Sequence, residues 1–226
     1  MSSLSLCITC YDGDYHLLDN LLNHFSRQTV APDEIIISSS GLKEEDLLNK
    51  ESLLINDEEV PVVQTNSEER IMQSVARNRG SQAATKDLVM FFDVDDIPHP
   101  QKIEATKHIF DDASVDAMLH NYFPPGYYSW PDRVGHDWPD LPFLRIDEYP
   151  PLLKVEQKNP DNTNIMIEGG HPAHQAHITL KRSIFDTVQF DEDVEMYRKE
   201  DGKFCQDVFA SGVNFVFTLL KLVQYN

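Results

Sequence analysis

The chain has 226 residues, long enough to bury a sizeable core, and 41% of them are hydrophobic. Its 38 acidic and 19 basic side chains leave a formal charge of −19, which argues against a nucleic-acid partner or an anionic-membrane surface and means that an anionic ligand needs local positive charge. Three cysteines cannot build a disulfide framework and fit a reducing, cytoplasmic setting; no signal peptide or membrane span is expected, because the longest apolar stretch, Val213 to Leu220, is broken by Asn214 and Thr218.

Apolar runs alternate with helical patterns, which predicts an α/β fold with a mostly parallel central sheet flanked by helices. Leu4 to Cys10 reads as the first strand; Cys7 and Cys10 then face opposite sides, so their C-x-x-C spacing is not a redox or zinc pair. Leu17, Leu18, Leu21, Leu22 and Phe25 recur at helical spacing and predict a helix ending near Gln28, before Pro32. Glu34 to Ser38 reads as a strand, Lys43 to Leu54 as an acidic helix, Val60 to Gln64 as a short strand and Glu69 to Ala84 as a longer helix. Leu88-Val89-Met90 has the continuous apolar character of a buried parallel strand and leads into Phe91-Phe92-Asp93-Val94-Asp95-Asp96. Pro100 opens a helix through Phe110, and Val115 to His120 reads as another strand.

Carboxylates just beyond the carboxyl end of a buried strand lie where open α/β sheets collect ligands. On an extended strand Asp93 and Asp95 point to one side and Asp96 to the other. Two carboxylates aimed together repel unless a cation or proton separates them, so the cluster points to a phosphate reaction assisted by Mn²⁺ or Mg²⁺. The plainer alternative is a solvated acidic turn leading to Pro98 and Pro100.

From 121 to 151 the texture changes: seven of the thirteen prolines and both tryptophans, Trp130 and Trp138, fall there with six other aromatics. A loop of this length is often functional, and its aromatic faces could hold sugar rings; the alternative is an insertion packed on itself. His171, His174 and His177 follow Gly169-Gly170 at three-residue intervals, but Pro172 argues against one continuous helix. They could line a ligand site or reach a metal, and the non-metal role is the stronger expectation. Ile178 to Leu180 reads as a strand, Arg182 to Asp186 as a short helix, and Glu200 to Ser211 as an amphipathic helix with Phe204, Cys205, Val208 and Phe209 inward, stopped by Gly212. Val213 to Tyr225 closes the chain as extended structure.

Several segments together resemble the inverting GT-A glycosyltransferases of glycosyltransferase family 2. Gln28-Thr29 and Pro32-Asp33-Glu34-Ile35-Ile36-Ile37 are similar to the family's "Q-T…P-x-E-I-I-V", Ala76-Arg77-Asn78-Arg79-Gly80 to its "A-R-N-x-G", and Phe92-Asp93-Val94-Asp95-Asp96 to its "L-D-x-D-D". Phe190-Asp191-Glu192 resembles its "F-D-E", and Glu200-Asp201 with Gly212 its "E-D…G". The chain departs at Ser39-Ser40-Gly41-Leu42, where the family commonly has "D-D-G-S"; a serine offers one hydroxyl to a base instead of a charged two-oxygen acceptor.

The resemblance implies one GT-A catalytic domain over 1–226, with a nucleotide-sugar half over about 1–120 and an acceptor half over 121–226 that includes the insertion at 121–151. It implies a UDP- or GDP-sugar donor, held by Thr9, Tyr11, Asp12, Ser39, Arg77, Asp93, Val94 and Asp95, and a glycan or glycoconjugate acceptor. Asp93 and Asp95 are the expected ligands of Mn²⁺ or Mg²⁺, Asp96 supports them, and Arg77 is expected to reach the diphosphate or base. Asp201 is the expected general base, with Glu200 as alternate, although acids in a helix's first turn are favoured by the macrodipole whatever they do. Two other classes fit the acidic loop: a haloacid dehalogenase-like phosphatase using Asp93 and Asp95, which usually wants Thr where Ile97 stands, and a non-catalytic glycan-binding module on the same fold.

Overall fold

A computed structural model describes residues 2–123, 144–156, 165–170, 175–196 and 199–225. Most of the predicted aromatic insertion, including Trp130 and Trp138, lies outside the described residues, as do His171 and His174.

Four parallel strands form the centre of the sheet in the order β4 (Glu58–Ser67), β2 (Glu34–Ser40), β1 (Leu4–Tyr11) and β5 (Leu88–Asp93). Successive side chains of a strand face opposite sides, so each buried strand feeds two layers. Leu6, Ile8, Met90 and Phe92 pack with Leu18, Leu21, Leu22 and Phe25 of α1 (Leu18–Phe25) and with Ile103 and Ile109 of α3 (Lys102–Ile109). Cys7, Val89 and Phe91 face the other layer, against Phe204, Cys205 and Val208 of α4 (Glu200–Ala210). Cys7 and Cys10 accordingly belong to different layers, and neither is a ligand partner of the other.

The chain passes from β1 through α1 to β2 on one side, then through α2 (Gln73–Ala83) to β5 on the other. The carboxyl ends of β1 and β5 therefore flank the point where the strand order reverses, and Thr9 stands in register with Asp93 across it. Beyond β5, the antiparallel β10 (Thr179–Lys181) joins β5 to β7 (Ala117–Phe123), which pairs in parallel with β11 (Phe215–Gln224). β8 (Leu153–Glu156), with β9 (Met166–Ile167) on its far side, pairs antiparallel with β11, as does the short β6 (Ile97–Pro98). Pairing with β7 carries the end of β11 back toward the Asp cluster, where Tyr225 N donates to Phe123 O at 3.0 Å.

The stretch expected as an acidic helix over 43–54 is different. Only Glu44–Asp46 make a single 3₁₀ turn, and β3 (Ser52–Ile55) forms a hairpin with β4. Asn56 and Asp57 hold φ of 51° and 63°, the left-handed pair that closes a two-residue hairpin and that Asn and Asp adopt more readily than most side chains. Cross-strand pairing of Leu53 with Val60 overrides the helical charge pattern. α2 begins at Gln73 instead of near Glu69, because Met72 is still extended with ψ of 153°. No helix among the described residues is long and apolar enough to cross a membrane.

Candidate active site

A cleft of about 640 Å³ opens at the strand-order reversal. Thr9 and Tyr11 come from β1, Asp93, Val94 and Asp95 from β5 and its turn, and Gln73 and Ala76 from α2; Ser40, Arg70 and Tyr225 also line it. Five of the eight residues expected to hold the donor thus line the cleft, while Asp12, Ser39 and Arg77 do not. The Ser39 hydroxyl turns toward β4, donating to Thr65 O at 3.4 Å and lying 3.0 Å from Asn66 Oδ1, so its neighbour Ser40 takes the cleft position. Asp12 is exposed beside Gly41, where a φ of +79° strains any side chain and a Cβ would lie 3.0 Å from Asp12 Cγ.

Tyr11 offers an aromatic face at the cleft, and the Arg70 guanidinium lies over it with Cζ 4.1 Å from the ring centroid. A hydrogen bond with Asp14 holds the Tyr11 phenol above its ordinary pKa. A Cβ on Gly13 would come within 2.4 Å of the ring, so this glycine makes room for it. Arg70 and Tyr225 escaped the sequence reading. Arg70 sits in the irregular approach to α2 and carries no periodic signal, and Tyr225 reaches the cleft only through the pairing of β11 with β7.

The strand ends at Asp93 and a turn follows, closed by Asp96 N donating to Asp93 O at 3.3 Å. The alternation that separates Asp96 from its neighbours therefore stops at Asp93. Asp93 Oδ1 accepts from Gln73 Nε2 at 2.8 Å and from Arg77 Nη2 at 2.9 Å. Asp95 is exposed at the cleft. Asp96 turns inward and accepts from His177 Nε2 at 2.7 Å. Asp93, Asp96 and His177 offer ligand atoms that lie within 4.8 Å of one another, so the structure groups Asp93 with Asp96 and His177 where the sequence pairs it with Asp95. His177, expected in a non-metal role, stands in that group.

Behind the turn, Lys102 and His120 are fully buried, and Lys102 Nζ donates to His120 Nε2. His120 Nδ1 donates to Asn121 O at 2.8 Å, leaving Nε2 to face Lys102. Burial pushes the Lys102 ammonium down to about 7, against the pull of the Asp96 charge.

Arg77, expected at a diphosphate or base, is only 1% exposed and is not part of the cleft wall. Its guanidinium pairs with Asp93 on β5 and with Asp201 in the first turn of α4, with Glu200 Oε1 at 4.0 Å. The Phe190 ring lies beneath at 5.4 Å, fixed because Asn78 bonds Phe190 N and O, each at 2.9 Å. The "A-R-N" and "F-D-E" segments therefore meet face to face. Burial pushes the Asp201 carboxyl up to about 6; Arg77 opposes this, and the charges of Asp93 and Glu200 add to it. A carboxylate so tuned accepts a proton near neutral pH and lies next to the acidic floor of a nucleotide-sized cleft.

Residues 5–176 match the family described as Glycosyl transferase family 2. No curated protein matches the sequence. Among solved structures, 99% of the chain superposes on 60% of S. aureus TarS 1-349, with a TM-score of 0.63 at 15% identity. The same protein in complex with UDP-GlcNAc gives a TM-score of 0.64 at 14% identity over 99% of this chain and 58% of that one. The mannosyltransferase PcManGT from Pyrobaculum calidifontis, in complex with GDP-Man and Mn²⁺, gives 0.64 at 14% identity over 99% of this chain and 56% of that one. The likeness to these structures is one of fold, and the chain spans at most 60% of their length.

Proposed function

The chain belongs to glycosyl transferase family 2 and has the GT-A fold of a glycosyltransferase, and on that premise we propose that it transfers a sugar, with inversion, from a nucleoside diphosphate to an acceptor hydroxyl with the help of a divalent cation. Membership of this family favours a transferase over a phosphatase or a glycan-binding module without turnover. The observation that carries the proposal is that Asp93, which lines the donor cleft, and Asp201, a carboxylate with a raised pKa, meet on one guanidinium. The halves 1–120 and 121–226 share one sheet through β10, which supports reading them as one catalytic domain.

The base of a UDP- or GDP-sugar stacks on Tyr11, with Thr9 and Ser40 offering hydroxyls beside it. The UDP-GlcNAc and GDP-Man bound by the two structural relatives support such a donor. The carboxylate-rich group Asp93, Asp96 and His177, with Asp95 at the cleft, suits Mn²⁺ or Mg²⁺ by the chemistry of its donor atoms. When bound, the ion supplies the positive charge that a departing diphosphate needs and that a chain of formal charge −19 lacks. Asp201 takes the proton from the acceptor hydroxyl as that oxygen attacks the anomeric carbon on the face opposite the diphosphate, through an oxocarbenium-like transition state. Glu200, with Oε1 at 4.0 Å from Arg77, is the alternate base. The acceptor is a hydroxyl of a glycan or glycoconjugate.

A thermal-shift panel of nucleotide sugars with and without Mn²⁺ tests this reading, since a ligand at ~100 times its Kd stabilises by ~2.7 kcal/mol. The expected result is a shift that needs both nucleotide and ion, followed by transfer whose product has the opposite anomeric configuration by NMR. Retention of configuration, or a shift indifferent to the ion, contradicts it.

A further inference from the structure

We infer that Arg77 is a positioning residue that holds the base Asp201 at a fixed distance from the donor-side carboxylate Asp93, so that a single buried guanidinium sets the spacing between the two halves of the reaction. The inference rests on the transferase reading of Asp201.

The geometry calls for a guanidinium. Its two terminal nitrogens diverge within one plane, and here Nη1 serves Asp201 while Nη2 serves Asp93 at 2.9 Å. A lysine would bring one point charge to a place that needs two fixed directions. Nor does the arrangement resemble a device for stability. The buried Glu200 and the half-buried Asp93 and Asp201 set three carboxylates around one cation that is 1% exposed, a charge excess that an ordinary ion pair avoids. Arg77 Nε and Glu200 Oε2 are buried without hydrogen-bond partners, so the cluster forgoes satisfaction that a purely structural network would seek. The Phe190 ring under the guanidinium, clamped by Asn78, removes its freedom to follow a ligand. Arg77 is also absent from the cleft wall, so it acts on the reaction through the two carboxylates it holds.

The test compares Arg77→Lys, Arg77→Ala, Asp201→Asn and the double variant Arg77→Lys/Asp201→Asn. Calorimetry with UDP and with GDP in Mn²⁺ reads the donor site. Single-turnover release of the nucleoside diphosphate from UDP-N-acetylglucosamine and GDP-mannose, with water as acceptor, reads the chemistry. A small misplacement of a reacting group can lower a rate by ~10²-fold, so Arg77→Lys is expected to slow release by ~10–100-fold while the nucleotide Kd moves less than ~3-fold. Added guanidinium should restore part of the rate to Arg77→Ala, and the double variant should be no slower than Asp201→Asn alone.

Nucleotide affinity that falls as far as the rate would make Arg77 a donor ligand and overturn the inference. Multiplying losses in the double variant would overturn it as well, and loss of folding in every Arg77 variant would assign the residue to the core. Parent-rate release by Asp201→Asn is a separate result that moves the base to Glu200 and removes the reading of Asp201 on which the inference rests, and binding of neither nucleotide by the parent protein removes the transferase reading itself.

Discussion

His177 Nε2 donates a hydrogen bond to Asp96 at 2.7 Å, and both side chains are closed to solvent. Asp96 is thereby drawn under the turn, while Asp93 and Asp95 line the cleft. Losing one hydrogen bond of a buried polar group typically costs about 1–3 kcal/mol. His177→Ala is therefore expected to lower unfolding free energy by that order in urea titration, and Asp96→Asn, which keeps an acceptor of the same shape, by less. An unchanged urea midpoint for His177→Ala would show that the pair does not hold the turn.

Lys102 gives a stability profile with a definite sign. Its folded pKa lies near 7 against an ordinary lysine value of 10.5, because burial disfavours the ammonium. Between those values the unfolded chain binds more protons than the folded one, so this group's contribution to stability rises with pH across about 7 to 10.5. The stability difference between the parent and Lys102→Met should move in favour of the parent over that window. A difference that stays flat would mean that Lys102 keeps its ordinary pKa.

Asp201 predicts the acid limb of the rate profile. A base must be ionised to work, so kcat/KM should fall as pH drops below about 6, the value to which burial raises this carboxyl. Asp201→Asn should remove that limb and lower transfer by ~10²–10⁴-fold, with nucleotide binding nearly intact. For stability the sign is opposite to that of an ordinary ion-paired carboxylate. With the folded pKa above 3.8, the folded state binds the proton more tightly, and this group's contribution increases as pH falls from about 6 toward 3.8. Asp201→Asn transferring at close to the parent rate would move the base to Glu200.

Two cleft residues should separate ion from base. Asp95→Ala removes the exposed carboxylate at the cleft while leaving the buried Asp96 and His177 in place, and should weaken Mn²⁺-dependent UDP or GDP binding by ~10–100-fold. Tyr11→Ala should weaken nucleotide binding by ~1–3 kcal/mol with or without the ion, the usual worth of stacking a base on an aromatic ring. Calorimetry with Mn²⁺ and with EDTA distinguishes them; equal sensitivity of both variants to EDTA would contradict the assignment.

The sequence by itself determined the strands that bury completely and the points where they end. Leu4 to Cys10 and Leu88 to Phe92 could hardly be anything but interior strands, and a carboxylate following such a run has to emerge at the sheet's carboxyl edge. The amphipathic period of 200–211 likewise fixed α4, with Gly212 at φ +79° ending it, and so placed Glu200 and Asp201 in a first turn. Tertiary structure decided what those residues meet. The charge pattern at 43–54 lost to the pairing of Leu53 with Val60, because a sheet edge stabilises by cross-strand contacts that no local period encodes. The side on which Asp96 falls depended on a strand that stops at Asp93, and its partner His177 arrives from an element placed beside β5 by β10. Arg77 looked like a ligand for phosphate while its partners were unknown; its burial between β5 and α4 follows from how the helices lie across the sheet, and that packing gives the guanidinium to Asp93 and Asp201.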